Sequence, residues 1–367
     1  MKKSISIFFV LFVVIISSCM SCLRPTFAFA DTKKYEIETS GTNSDRIFFK
    51  VREGINIRLD EMVAKLKGMG FEDKIIARYL FTNYDDVVKM LENENIAVKN
   101  SEIVLEGNKI YPTQERNGKQ LEAGQLDSLI VSKVLLNEPY LEVPYSVVEA
   151  STTYQQNLEY CNLKSYFKTP IRGVNQEGRI HNIGVALSKF NGMRVEPDQI
   201  VSFNNIIGNT TKENGYALAK VIINGKYEDD YGGGVCQAAT TLYNALLLAD
   251  ISVLQANPHS LKVGYIEGSF DSMVSYGISD LVFKNTSGGP IFISTSCDSD
   301  SCGVSVFGIK NEFDIIRRSE AVEFDEEEFP RVSSKSVGYL EYYKNGQKQF
   351  EKKIRKDNYY KLNVESV

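Results

Sequence analysis

Dense lysine and arginine tracts are missing from this 367-residue chain. Without them there is no electrostatic footprint for nucleic acid, whose affinity rests largely on neutralising phosphates. Long apolar runs are nearly absent as well. One segment, at the N-terminus, approaches spanning length, which excludes a polytopic membrane protein. Cysteine is sparse, with six residues, so the chain is no disulfide-dense mini-protein and its core must come from packing. Histidine is scarcer still: only His181 and His259 occur. Beyond the N-terminal segment there is no CxxC, and nowhere an HExxH, so ligands for a zinc site are too few. The one triple glycine, Gly232-Gly233-Gly234, lacks the Lys-Ser/Thr that completes a phosphate-binding loop. No metal and no cofactor is expected.

What is present is ordinary for a folded protein. Apolar residues make up 43% and charged residues 24%, which excludes wholesale disorder. The net charge is −5, and removing residues 1–30 takes away three bases and no acid, leaving −8. Lys2-Lys3, the apolar stretch from Ser4 to Ile16 and Ala28-Phe29-Ala30 have the order of a secretory signal and its cleavage site. A lipidated Cys19 and an uncleaved membrane anchor are the variants of the same reading. All three put Asp31 onward outside the cytoplasm, at the cell wall or the outer face of the membrane.

Four regions follow: a signal peptide or anchor over 1–30, an α/β region over 31–160, a cysteine-bearing domain over 165–310 and a C-terminal β-hairpin extension over 311–367. The expected fold class is α+β, with a cysteine-bearing helix packed on a mostly antiparallel sheet and a smaller α/β domain before it. In the α/β region helices are expected from Asp60, from near Glu72 and from Asn83, then another over Gln125 to Leu135. Glu102–Leu105, Asn108–Tyr111 and the turn Arg116–Lys119 suggest a hairpin. The polar, irregular stretch 151–178 reads as a linker. A helix from Arg179 should stop at Asn191-Gly192. Cys297 and Cys302 flank a four-residue loop between two strand-like runs, a spacing that suits a disulfide in an oxidising compartment. Asn345-Gly346 is a hairpin signal.

The chemistry concentrates in Tyr231 to Ala249. Three glycines permit backbone geometry denied to other residues. A helix with Ala238, Leu242, Ala245 and Leu246 on one face follows at once, putting Cys236 at its N-terminus. There the helix dipole and free amides favour a thiolate and can receive an oxyanion. A cysteine nucleophile needs a base, and His259, 23 residues on, is far enough for the chain to return to the helix start. Asp271 and Asp280 are candidates to orient its imidazole. The alternative is a buried structural cysteine behind a tight turn.

At these residues the chain resembles the VanW family, over about residues 165–295. The resemblance rests on Arg179, Asn182-Ile183, Phe203-Asn204, Gly215-Tyr216, Gly232-Gly233-Gly234-Val235-Cys236-Gln237, Thr240 to Ala245, His259-Ser260, Tyr265, Asp271, Tyr276, Asp280-Leu281 and Lys284-Asn285. Residues 101–160 resemble the peptidoglycan-binding domain that often precedes it, and Gly338 to Tyr360 the small β modules that often follow. Departures are Ala238-Ala239 in place of a common Val-Ser and Phe270 in place of a usual Arg. The resemblance implies an envelope protein of a Gram-positive-type cell and an L,D-transpeptidase acting on peptidoglycan stem peptides. Cys236 would then be the nucleophile, His259 the base and Asp271 its orienting partner. Gly233, Gly234, Val235, Gln237 and Tyr276 are the candidates for substrate binding and the oxyanion. A cysteine peptidase acting on the same stems and a non-enzymatic wall-binding module are the competing readings.

Overall fold

The computed structural model describes residues 35–39, 46–51, 59–107, 109–136, 138–171, 176–223, 226–325, 327, 329 and 331–361. The expected signal or anchor, Lys2 to Ala30, lies outside the described residues. Among those described, no helix is long and apolar enough to cross a membrane. Helices and antiparallel sheets make up an α+β fold. The chain forms two compact units: Met1–Lys99 with Arg116–Ala150, and Asn100–Glu115 with Ser151–Val367.

In the first unit, helices Leu59–Gly68, Asp73–Leu80, Tyr84–Asn93 and Ala123–Leu135 lie where the apolar spacing puts them. Their inward side chains Val63, Ile76, Leu80, Leu91, Leu126 and Ile130 form one core with Ile47 and Leu141. Ile47 and Leu141 are cross-strand partners in a three-stranded sheet of Tyr35–Thr39, Arg46–Val51 and Tyr140–Glu142. The expected turn at Arg116–Lys119 is not a hairpin turn. Gly118–Leu121 is itself a strand, paired with Tyr145–Val148. Ile103–Glu106 and Lys109–Pro112 do pair, but that hairpin belongs to the second unit.

The second unit is built around the helix Val235–Leu248, here called the cysteine helix. All of its residues except Cys236 and Leu248 are buried, so it is enclosed rather than merely amphipathic. It packs on a four-stranded antiparallel sheet in the order Asn162–Pro170, Ser301–Gly308, Ile291–Cys297, Met193–Val195. The helix Glu177–Ser188, the arginine helix below, packs beside it. Beside the two-stranded pairs Ile103–Glu106 with Lys109–Pro112 and Leu218–Ile223 with Lys226–Tyr231, two further three-stranded sheets belong to the unit. One orders Ile200–Ser202, Val282–Lys284 and Ser252–Gln255; the other orders Asp314–Val322, Val332–Lys344 and Gln347–Tyr360.

Two expectations change here. The stretch read as a linker contributes Asn162–Pro170, an edge strand of the central sheet. Its two fully buried side chains, on either side of the half-buried Phe167, are polar: Ser165 donates to Ala245 O at 2.7 Å, and Thr169 Oγ1 lies 2.8 Å from Thr241 Oγ1. Apolar alternation therefore could not reveal it. Cys297 and Cys302 are directly opposite in register, yet both are free thiols. The Cys302 sulfur sits among hydroxyls, 3.1 Å from Thr169 Oγ1 and 3.3 Å from Thr241 Oγ1. The C-terminal hairpin, which turns at Asn345-Gly346 with both residues at positive φ, lies within the same compact unit as the cysteine helix.

Candidate active site

Gly234 precedes the cysteine helix in a left-handed conformation, φ 108°, which favours glycine. A Cβ there would lie 2.9 Å from Arg179 Cγ, so the glycine also admits the arginine helix. At Gly233 a Cβ would lie 2.8 Å from Lys220 O and 2.9 Å from Ala219 C. The triple glycine is thus a close-packed corner that delivers Cys236 to the first helical turn, half-buried while its neighbours are fully covered.

The Cys236 sulfur contacts one backbone segment directly, 3.3 Å from Val274 O and 3.5 Å from Val274 N. Met273 N donates to Asn257 O at 2.7 Å, an isolated bridge that ties the two arms of the loop carrying His259 and Asp271. Across that loop His259 Nδ1 is 2.7 Å from Asp271 Oδ2, and the His259 backbone N–H donates to the same oxygen at 2.6 Å. With Nδ1 engaged, Nε2 is the nitrogen left for the sulfur. Asp271 is 1% exposed, and its other oxygen accepts from Arg355 at 2.8 Å and Tyr359 at 2.7 Å.

The electrostatics follow from this geometry. Burial alone would raise the Cys236 thiol. The hydrogen bond and charge of His259, the Val274 backbone and the Arg179 charge outweigh it, and the thiol falls below its ordinary value. Burial would lower His259, but Asp271 and the cysteine sulfur push it up to about 9. Asp271 is held below the usual carboxylate range: burial opposes this, while His259 and Arg355 enforce it. The arrangement therefore favours a thiolate beside an imidazolium backed by a carboxylate. The other half-buried thiols move the opposite way: burial raises Cys161 and, with the neighbouring Cys302 and Asp298, pushes Cys297 up to about 11.

Other candidates separate clearly. Asp280 accepts from the backbone N–H of Asn204 at 2.9 Å and of Leu281 at 2.8 Å, and from the Ser202 hydroxyl; it is a structural cap. His181 is exposed, with Nε2 2.8 Å from Gly215 O. Tyr276 is exposed in the turn after Val274. Val235 and Gln237 do not offer free amides: Val235 N donates to Gly232 O at 3.0 Å and Gln237 N to Gly234 O at 2.9 Å. The Gln237 side chain is 1% exposed and faces inward, donating to Thr169 Oγ1 at 3.0 Å and to Pro170 O at 2.9 Å. Its Oε1 accepts from Arg179 at 2.7 Å. Gln237 thus positions Arg179, a cation beside the sulfur that sequence reasoning left out of the site. Its place in the resembling pattern was the available signal. Tyr265 was left out too. Its ring lies 5.8 Å from the Arg179 guanidinium, and burial together with the Cys236 charge raises its hydroxyl. Phe270 is buried with the Arg317 guanidinium 4.7 Å from its ring centre. Among the described residues no group of three His, Cys, Asp or Glu is arranged to hold a metal ion.

Residues 178–307 match the family model described as VanW like protein. Uncharacterized protein YoaR of Bacillus subtilis (strain 168) is 34% identical over 119 residues, 32% of this chain and 39% of that protein. Vancomycin B-type resistance protein VanW of Enterococcus faecalis (strain ATCC 700802 / V583) is 26% identical over 143 residues, 37% of this chain and 52% of that protein. The matched part of the chain thus spans about half, or less, of the length of these relatives. No solved structure matches the chain significantly. Residues 178–307 hold Cys236, His259 and Asp271 and end before the C-terminal hairpin, and they constitute a VanW-like domain.

Proposed function

We propose that the protein is an extracytoplasmic cysteine acyltransferase of the cell wall, an L,D-transpeptidase that joins peptidoglycan stems by 3→3 crosslinks. The observation that carries this reading is the Cys236–His259–Asp271 relay at the start of an enclosed helix. A thiolate beside an imidazolium is armed for attack on a carbonyl. The resistance protein among the relatives supports the cell wall as the setting.

In this reaction the Cys236 sulfur attacks the carbonyl carbon of the diamino acid at position three of a tetrapeptide stem. The developing oxyanion meets the Cys236 amide in the first helical turn, with the Arg179 charge nearby. The bond to the terminal D-Ala breaks, and its amine leaves with the proton from His259 Nε2. The side-chain amine of a second stem then attacks the thioester, gives a proton to His259 and restores the thiolate. The peptidoglycan-binding role goes to the region expected over 31–160.

Mass spectrometry of muropeptides after incubation with the pure protein tests this. New 3→3 dimers that vanish with Cys236→Ala are expected. Trimmed monomers alone would replace the transferase by a peptidase, and unchanged muropeptides would leave a binding module.

A further inference from the structure

The family match ends at residue 307, but the contacts that hold Asp271 do not. Arg355 and Tyr359 stand on the last strand, Gln347–Tyr360, 84 and 88 residues from the carboxylate they reach. Both face the same oxygen, Oδ1, leaving Oδ2 for His259. Arg355 also donates to the Asp271 backbone carbonyl, to Ala256 O at 3.3 Å and to Asp357 at 2.7 Å. It therefore ties both arms of the His259 loop to the hairpin. The Tyr359 hydroxyl additionally accepts from Ser269 N at 2.7 Å. Arg355 side-chain exposure is 13% and Tyr359 is 1% exposed, so neither is a surface contact. The hairpin comes this close because Gly268 faces it: a Cβ there would lie 2.4 Å from Ser336 Oγ.

We infer that Arg355 and Tyr359 are positioning residues of the reacting centre, fixing the Asp271 carboxylate so that it holds the His259 imidazolium against Cys236. The inference rests on the proposed cysteine chemistry, and it extends the functional unit beyond the VanW-like domain to the C-terminal hairpin. A bidentate or doubly donated carboxylate is both oriented and kept ionised. The groups facing this relay are His259 and Tyr265 from the loop, Tyr243 from the cysteine helix, Arg179 from the arginine helix, and Arg355, Asp357 and Tyr359 from the hairpin.

The test is the pH dependence of Cys236 alkylation by iodoacetamide in the full-length chain, with the labelled peptide identified by mass spectrometry. It reads the thiolate whether or not the protein crosslinks stems. Removing a donor from Asp271 raises the carboxyl pKa, so the imidazolium loses its counter-ion at higher pH. Arg355→Gln also removes a positive charge, which favours the protonated thiol. The acid limb should move up by about one pH unit in Arg355→Gln and less in Tyr359→Phe. Arg355→Lys should restore part of the shift. Lys348→Ala, which breaks an ion-pair cluster with Glu341 and Glu351 elsewhere on the same hairpin, should leave the limb in place. If Arg355→Gln does not fold, the milder Tyr359→Phe decides. An unmoved limb in folded Tyr359→Phe and Arg355→Gln, or an equal movement in Lys348→Ala, overturns the inference. Shifted limbs without any stem crosslinking would sustain the positioning role and reject the transpeptidase.

Discussion

The cores of the two units are built from different materials. Among the described residues of the first unit, Asp127 is the buried polar side chain, bonded to Tyr84; the rest of that core is apolar. The core of the second unit is threaded with polar groups around the cysteine helix: Thr169, Asn182, Gln237, Thr240, Thr241, Asn244, Asp271 and Ser272 are all buried. Burying such groups costs free energy unless each is hydrogen-bonded. Most here are bonded, and their bonds run from Thr169 through Gln237 to Arg179, and from Thr240 to Ser272, on both sides of Cys236. An apolar core stabilises a fold; a polar one of this kind also specifies where individual atoms sit. The first unit is organised for stability and the second for placement.

The largest effect should come from the single reacting atom. Cys236→Ala should abolish crosslinking while the thermal unfolding midpoint stays near wild type, since little volume is removed. Residual crosslinking would break the contrast by showing that placement of this sulfur does not matter. Next, His259→Ala should lower turnover by about 10²-fold or more, the scale of losing a positioned base. His181→Ala, outside the polar core, should be near neutral. The pH profile sharpens this: His259 is raised to about 9, so the imidazolium is present below that pH and lost above it. Turnover should therefore decline as pH rises through about 9, measured as crosslinked product per minute.

A third substitution addresses the apolar core. Ile130→Ala, at a fully buried site of the first unit, should cost about 2–5 kcal/mol in denaturant unfolding of that unit. It should leave iodoacetamide labelling of Cys236 unchanged. The smallest effect on chemistry is expected from removing the first unit altogether. Binding to isolated sacculi should weaken while turnover of a small soluble stem peptide changes little. Equal loss of both would show that the two units act as one.

Much of the local structure was legible because it depends on near neighbours. Helices with apolar residues at regular spacing, such as Tyr84–Asn93, announced themselves, and so did the Asn345-Gly346 turn. His259 could be paired with Cys236 because histidine is so scarce. The edge strand Asn162–Pro170 was illegible because hydroxyls take its two fully buried positions and leave Phe167 as a lone inward hydrocarbon between them. Spacing alone could not choose between Asp271 and Asp280; only the resemblance pointed to Asp271. Both lie in similar loops, and only the folded chain gives Asp280 to backbone amides and Asp271 to the imidazole.

By itself, then, the sequence determined a triple glycine followed by a helix, and therefore a cysteine in its first turn. Steric permission at glycine and the dipole of a helix are local properties, carried by consecutive residues. Only the tertiary structure decided that Gln237 turns inward to hold Arg179, that Cys297 and Cys302 stay thiols, and that Arg355 and Tyr359 reach the carboxylate behind His259. Those outcomes depend on which strands pack against the cysteine helix and its loop. Residues more than eighty positions apart meet through that packing, and no spacing in the chain encodes it.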